Sequence, residues 1–177
     1  MRAREMTEGL LQVVCEAERL VLGAARCRTC WTRVEVKRLS DNSLILGDIE
    51  VVSADLSRRL CGCDEAFVFA ATVGVGADRA IRTAEVKSPL LSLACDSAGS
   101  ALVEELCDAI NTELAEEAKK QGRQTTKRFS AGYGDLSLEY QRQICRLLDT
   151  PRNIGASLTD GVMMTPSKTV TAIVGIR

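Results

Sequence analysis

The run Arg128-Phe-Ser-Ala131-Gly132-Tyr133 holds three residue types that suit a small polar ligand. Arginine presents a planar fork that matches a carboxylate, glycine lets the backbone approach a ligand closely, and tyrosine offers a ring face and a hydroxyl. Together they can hold an amino-acid-like or purine-bearing molecule. A plain turn with a surface arginine accounts for the same residues, and the pattern alone leaves both readings open. Glu104 is the second candidate. It follows Ala94, Ser97 and Ala101 on a helical pattern, so small residues leave room beside a carboxylate, although a solvated helix residue fits equally.

The cysteines offer a different chemistry. Cys27-Arg-Thr-Cys30 and Cys61-Gly-Cys63 together supply four thiols, the number found in a four-thiolate zinc or iron-sulfur site. The second pair is CxC rather than CxxC, and the pairs lie farther apart than in a zinc ribbon, which favours free or structural thiols. Cys95, Cys107 and Cys145 fall in helical patterns and are expected in the core. The eight cysteines point to a reducing compartment, and the absence of histidine removes the commonest general base and every imidazole ligand. Chemistry is left to carboxylates, Arg, Lys, Tyr, thiols, hydroxyls or a bound cofactor.

These residues need a scaffold. With 177 residues, 46% hydrophobic, the chain is expected to form a single domain over 1–177 with one buried core. A net charge of -1 and 3% aromatic residues give no footprint for nucleic acid. The N-terminal pattern through Leu10, Val13, Val14, Ala17 and Val21 is an amphipathic helix rather than a signal peptide, and no run is long enough to span a membrane. A cytoplasmic protein is expected.

Thr32, Val34 and Val36 alternate with charged residues as in a half-buried strand, and turns after it predict a small antiparallel sheet through Val52. Ser53 is placed to cap a short helix through Leu60. The unbroken apolar run Ala66 to Val73 predicts a central strand covered on both faces. Gly74-Val-Gly76-Ala-Asp78-Arg79 begins like a dinucleotide fingerprint but carries Arg79 at the third glycine, so a tight turn into a helix near Ala77–Ala84 explains it better. Ser88-Pro89 starts the longest helix, with Leu91, Cys95, Ala98, Leu102, Leu106, Ile110 and Leu114 at helical spacing. A helix over Leu138–Leu148, stopped with help from Pro151, precedes a last strand with Val170, Ala172, Val174 and Ile176 on one face. Strands and helices without regular alternation predict an α+β fold, with a mixed or antiparallel sheet and long helices.

The order RxxxGY at Arg128–Tyr133, a helix ending in LLDT, and then IGASLTDGVMMTPSKTVTAIVGI resembles the activation, or reactivation, domain of cobalamin-dependent methionine synthase, here as a short free-standing form. That family shows RPxPGY, a helix ending in two leucines and an acid, an LTES-like turn, then Met, Pro and a Ser-Val-like strand. Thr159-Asp160 stands at the family's Thr-Glu, and Met164, Pro166 and Val170 follow in order. Upstream, Ala101-Leu-Val-Glu104 resembles the helix whose glutamate faces the family's S-adenosylmethionine site. The similarity spans roughly residues 53 to 176 and is most specific from Arg128 onward. The family's acidic residue near the domain start and its aromatic beyond the last strand have no counterpart.

The resemblance implies an S-adenosylmethionine-binding module that supports reductive methylation of cob(II)alamin on a separate corrinoid protein, most directly methionine synthase, with one electron from a donor such as flavodoxin or ferredoxin. It implies that Arg128 holds the ligand's carboxylate and that Glu104 accepts from ammonium or ribose hydroxyls. Gly132 is the point of close backbone approach, Tyr133 is a packing and hydrogen-bonding wall, Ala131 belongs to the same binding set, and Thr159, Asp160 and Thr165 face the corrinoid. Cobalamin is expected on the partner, because a chain without histidine cannot supply a Asp-x-His-x-x-Gly lower ligand. Two rivals remain at this stage: an adaptor that docks a corrinoid protein without binding S-adenosylmethionine, and a thiol-based metal or redox protein on Cys27, Cys30, Cys61 and Cys63.

Overall fold

A computed structural model describes residues 8–177. The chain runs α1 (Glu8–Ala24), β1 (Arg28–Arg38), β2 (Ser43–Leu46), β3 (Ile49–Val52), α2 (Ala54–Arg59), β4 (Glu65–Thr72), α3 (Val75–Lys87) and α4 (Pro89–Lys119). A 3-10 turn at Leu138–Tyr140 then leads into α5 (Gln141–Leu147), α6 (Thr150–Asn153), β5 (Ser157–Leu158), β6 (Met164–Thr165) and β7 (Thr169–Ile176). Five strands form one antiparallel sheet in the order β3-β2-β1-β4-β7, and β5 pairs with β6 as a separate hairpin. The expected α+β class with long helices is the architecture found. No helix among the described residues is long and apolar enough to cross a membrane.

The apolar run of β4 lies between β1 and β7 and is buried on both faces. Ala66, Val68 and Ala70 face a core built with β2, β3, α2 and α5, while Phe67, Phe69 and Ala71 face α4. Val170 sits half-buried on that same helix face of β7, in line with buried Ala172, Val174 and Ile176. The small antiparallel sheet expected of the front section forms as β1-β2-β3, and it is continuous with β4 and β7. β1 is 11 residues long, and Arg28–Glu35 pair with β4 while Val36–Arg38 pair with β2, so one strand joins both parts.

Ser53 caps α2 as expected, its hydroxyl accepting from Leu56 N–H at 3.0 Å, and Ser88 caps the 31-residue α4 with Pro89 in the first turn. The buried stripe of α4 runs through Leu91, Cys95, Gly99, Val103 and Cys107, one residue round from the expected Ala98, Leu102 and Leu106, which are half-buried. Gly76 is where α3 meets the end of α1: a Cβ there would lie 2.0 Å from the Ala24 carbonyl oxygen. Close packing therefore explains the glycine turn, and Asp78 is occupied by Ser167, accepting from its backbone N–H and its hydroxyl. Helix α5 ends at a left-handed Asp149 (φ 43°), and Pro151 sits in the first turn of α6 rather than acting as the stop.

Candidate functional site

Helix α4 leaves the sheet and the chain returns along the outer side of β7, where Phe129 N–H donates to the Ile173 carbonyl at 2.9 Å and the reverse bond measures 2.8 Å. This bridge fixes Phe129 against the strand and lets Arg128 reach α4. Glu104 and Asp108 stand four residues apart there, on one helix face. Arg128 pairs with both carboxylates through separate nitrogens. Burial pulls the guanidinium down, but the Asp108 hydrogen bond and the neighbouring negative charges outweigh it and hold Arg128 above the ordinary arginine value.

Beyond Arg128 the chain makes a compact loop. Gly132 has φ 89°, where a side chain is strained, and its N–H donates to the Leu136 carbonyl at 2.8 Å. A Cβ at Gly132 would meet Leu138 Cδ1 at 3.2 Å, so the turn itself requires this glycine. Asp135 ties the loop to α2. Its carboxylate accepts from Ala54 N–H at 2.7 Å, Asp55 N–H at 3.2 Å and the Ser53 hydroxyl. The Ser53 bond contributes most to holding that carboxyl below its usual value, aided by the backbone N–H groups against partial desolvation.

The result is a groove of about 490 Å³ whose lining includes Glu104, Arg128, Ala131 and Tyr133. Four of the sequence-derived candidates, from two distant segments, therefore meet at one cavity within the usual size range of ligand sites. Ala131 is buried and Tyr133 is 68% exposed, with its ring free at the rim. Gly132 shapes the loop without lining the groove.

No family model matches the sequence, and no curated protein matches it. Among solved structures, the crystal structure of the MetH reactivation domain bound to AdoHcy superposes with a TM-score of 0.69 over 95% of this chain, at 15% sequence identity. The fold is that of the MetH reactivation domain. This chain spans 64% of the length of that structure.

The remaining candidates lie elsewhere. Thr159, Asp160 and Thr165 are exposed on the β5–β6 hairpin and do not line the groove. The Thr159 hydroxyl accepts from Met163 N–H at 3.2 Å, and the Asp160 carbonyl accepts from Arg142. The four-thiol site is not assembled: among the described residues no three Cys, Asp or Glu gather where they could hold a metal. Cys27 and Cys61 are exposed, whereas Cys30 lies under α5 and α6 with its thiol 4.0 Å from the Leu148 carbonyl. Burial raises the thiols of Cys30 and Cys63 above the ordinary value. Cys95, Cys107 and Cys145 are buried as expected, and burial pushes Cys107 up to about 11 against the lowering effect of Arg128.

Several groove residues escaped the sequence reading. Gln141 is 6% exposed and accepts from the Thr171 hydroxyl at 2.9 Å, although α5 had been read from its apolar positions alone. Thr169 and Thr171 were hidden behind the apolar face of β7, and Arg59 stands 5.8 Å over the Phe129 ring from α2. The signals that could have exposed them were Gln141 three residues before Ile144, on the same face of α5, and threonines alternating with Val170 and Ala172.

Proposed function

We propose that this chain is an S-adenosylmethionine-binding reactivation module, one domain over its length, that supports reductive methylation of cob(II)alamin on a separate cytoplasmic corrinoid protein, most directly methionine synthase. The observation that carries the reading is the convergence of Glu104, Arg128, Ala131 and Tyr133 on one groove, in the fold of a domain crystallised with AdoHcy.

The donor set fits the ligand. S-adenosylmethionine carries a carboxylate, an ammonium and a sulfonium, whereas Arg128 with Glu104 and Asp108 presents one cation beside two anions. The carboxylate takes a place on the Arg128 fork, and the freed Glu104 accepts from the ammonium or ribose hydroxyls. Tyr133 closes the wall. The ligand supplies a methyl group already activated on sulfur, so positioning it over the corrin is the protein's task, and no histidine is needed. Thr159, Asp160 and Thr165 face the corrinoid, and a one-electron donor such as flavodoxin or ferredoxin completes the balance.

The adaptor reading has one observation in its favour: Arg128 is already paired twice, by Glu104 and Asp108. Isothermal titration separates the two. Saturable binding of S-adenosylmethionine, with a melting temperature that rises with ligand concentration, is expected for the module; at 100 times its Kd a ligand stabilises a fold by about 2.7 kcal/mol. Absence of heat and of any melting shift at millimolar ligand would leave docking alone.

A further inference from the structure

A second cavity, of about 730 Å³, adjoins the groove and shares Arg59 and Phe129 with it. Its wall brings together Arg58 and Arg59 from the last turn of α2, Lys127 from the segment along β7, and Arg177 beyond β7. One carboxylate, Asp55, stands among these four cations. It is paired with Arg58 and also accepts from the Asp135 N–H at 3.2 Å. Arg59, Lys127 and Arg177 form no ion pair among the described residues. Three cations are therefore left over around one concavity.

Local structure accounts for only part of this charge. A helix C-terminus carries about half a negative charge and favours a cation in its last turn, a place Arg58 already fills. Arg59 lies 5.8 Å over the Phe129 ring, which fixes its position without cancelling its charge. Lys127 and Arg177 come from other elements, and a concave wall focuses the field of like charges placed on it. That field reaches Cys63: burial raises its thiol, and the Arg177 charge is the largest influence in the opposite direction. The segment along β7 adds neutral donors. Gln124 N–H and Thr126 N–H are tied to the carbonyls of Arg177 at 2.8 Å and Gly175 at 2.9 Å. The N–H groups of Thr125 and Lys127 therefore turn the other way, and neither has a backbone acceptor among the described residues. S-adenosylmethionine explains none of this, because one carboxylate against an ammonium and a sulfonium leaves it a net cation.

We propose that this basic cavity binds a phosphorylated small molecule, with its phosphate group seated among Arg59, Lys127 and Arg177. A phosphate monoester carries a charge of about −1.5 to −2 and three acceptor oxygens, and a diphosphate carries more of both. Such a group matches several cations at once, whereas a carboxylate would leave two of the three unmatched. Arginine forks grip phosphate oxygens in pairs, and lysine adds a point charge. The volume falls within the range of about 300–1,000 Å³ found for small-molecule sites, so it admits a whole molecule rather than a bare ion. A nucleic-acid strand fits less well, since it needs cations along a track and the chain as a whole carries a net charge of -1. The inference is independent of the S-adenosylmethionine reading; the two cavities meet at Arg59 and Phe129.

The test titrates the full chain by calorimetry, at fixed ionic strength, with inorganic diphosphate, ribose 5-phosphate and uridine 5′-diphosphate, none of which carries adenine. Saturable binding of diphosphate to one site is expected. Tighter binding of uridine 5′-diphosphate would assign an organic diphosphate, tighter binding of ribose 5-phosphate a sugar phosphate, and no gain from either the free anion. Lys127→Ala/Arg177→Ala removes two exposed cations that lie outside the groove, and is expected to weaken diphosphate binding about tenfold or more with an unchanged melting curve. Arg19→Ala/Arg82→Ala makes the same change in net charge on exposed faces of α1 and α3 and should bind diphosphate as wild type does, as should Arg128→Ala. Equal affinity in wild type and Lys127→Ala/Arg177→Ala, or an equal loss in Arg19→Ala/Arg82→Ala, would overturn the site. So would the absence of saturable binding of all three ligands at millimolar concentration, including the case in which single-stranded oligonucleotides bind more tightly as they lengthen.

Discussion

Arg128→Ala isolates the contact on which ligand binding depends. A hydrogen bond to a charged group contributes about 1.5–3 kcal/mol, so losing the guanidinium should weaken S-adenosylmethionine binding about 10- to 150-fold. The fold should barely notice. The partners Glu104 and Asp108 are 59% and 68% exposed, and pairs of that kind contribute about 0–1 kcal/mol each. A loss of 1 kcal/mol moves Tm by about 2–4 °C in a chain of this size. Arg128→Lys should also bind worse, because an ammonium cannot reproduce a bidentate fork. Asp108 provides the control: it pairs with Arg128 without lining the groove, so Asp108→Asn frees part of the fork and should hold or improve affinity. Calorimetric titration of the three variants, each with a melting curve, gives both quantities. Unchanged affinity in Arg128→Ala, or an affinity loss that only mirrors a large loss of stability, would refute the reasoning.

Two further outcomes concern the scaffold. Ser53→Ala removes the cap of α2, at a typical cost of about 1 kcal/mol, visible as a lower urea midpoint. The folded-state pKa of Asp135 is depressed, so the stability it contributes is present above its ordinary carboxylate pKa and is lost as pH falls through the lower folded value. The gap in urea midpoint between wild type and Asp135→Asn should therefore narrow from pH 7 towards pH 3, and a constant gap would contradict the assignment. Thiol labelling of the native protein should modify Cys27 and Cys61 quickly and spare Cys95, Cys107 and Cys145, with mass spectrometry of peptides as the readout. Rapid labelling of Cys107, whose thiol sits near 11, would show that the helix–sheet core opens readily.

The elements written locally were legible in the sequence. Ser53 and Ser88-Pro89 announce helix starts because capping acts within one turn, and the unbroken run Ala66–Val73 announces a strand covered on both sides. What was not legible depends on long-range pairing. Nothing in the alternation of Thr32, Val34 and Val36 says that β1 continues back to Arg28 and spans two sets of partners. Glu104 and Arg128 were chosen as ligand contacts, yet their pairing with one another and the entry of Asp108 follow from where the Phe129–Ile173 bridge places the loop. The turn requirement at Gly132, set by its positive φ and the nearby Leu138, is a further reason for that glycine which the motif alone does not show. The basic cavity at Arg59, Lys127 and Arg177 is invisible in sequence, because it exists only where three separate segments meet.

The most direct test of the reactivation module combines this chain with a cob(II)alamin-loaded corrinoid protein, a one-electron donor and S-adenosylmethionine, and follows the cobalt spectrum. Methylcobalamin and S-adenosylhomocysteine should form in equal amounts, at a rate that rises with the concentration of this chain and falls sharply with Arg128→Ala. Methylation at the same rate with the chain omitted would contradict the account.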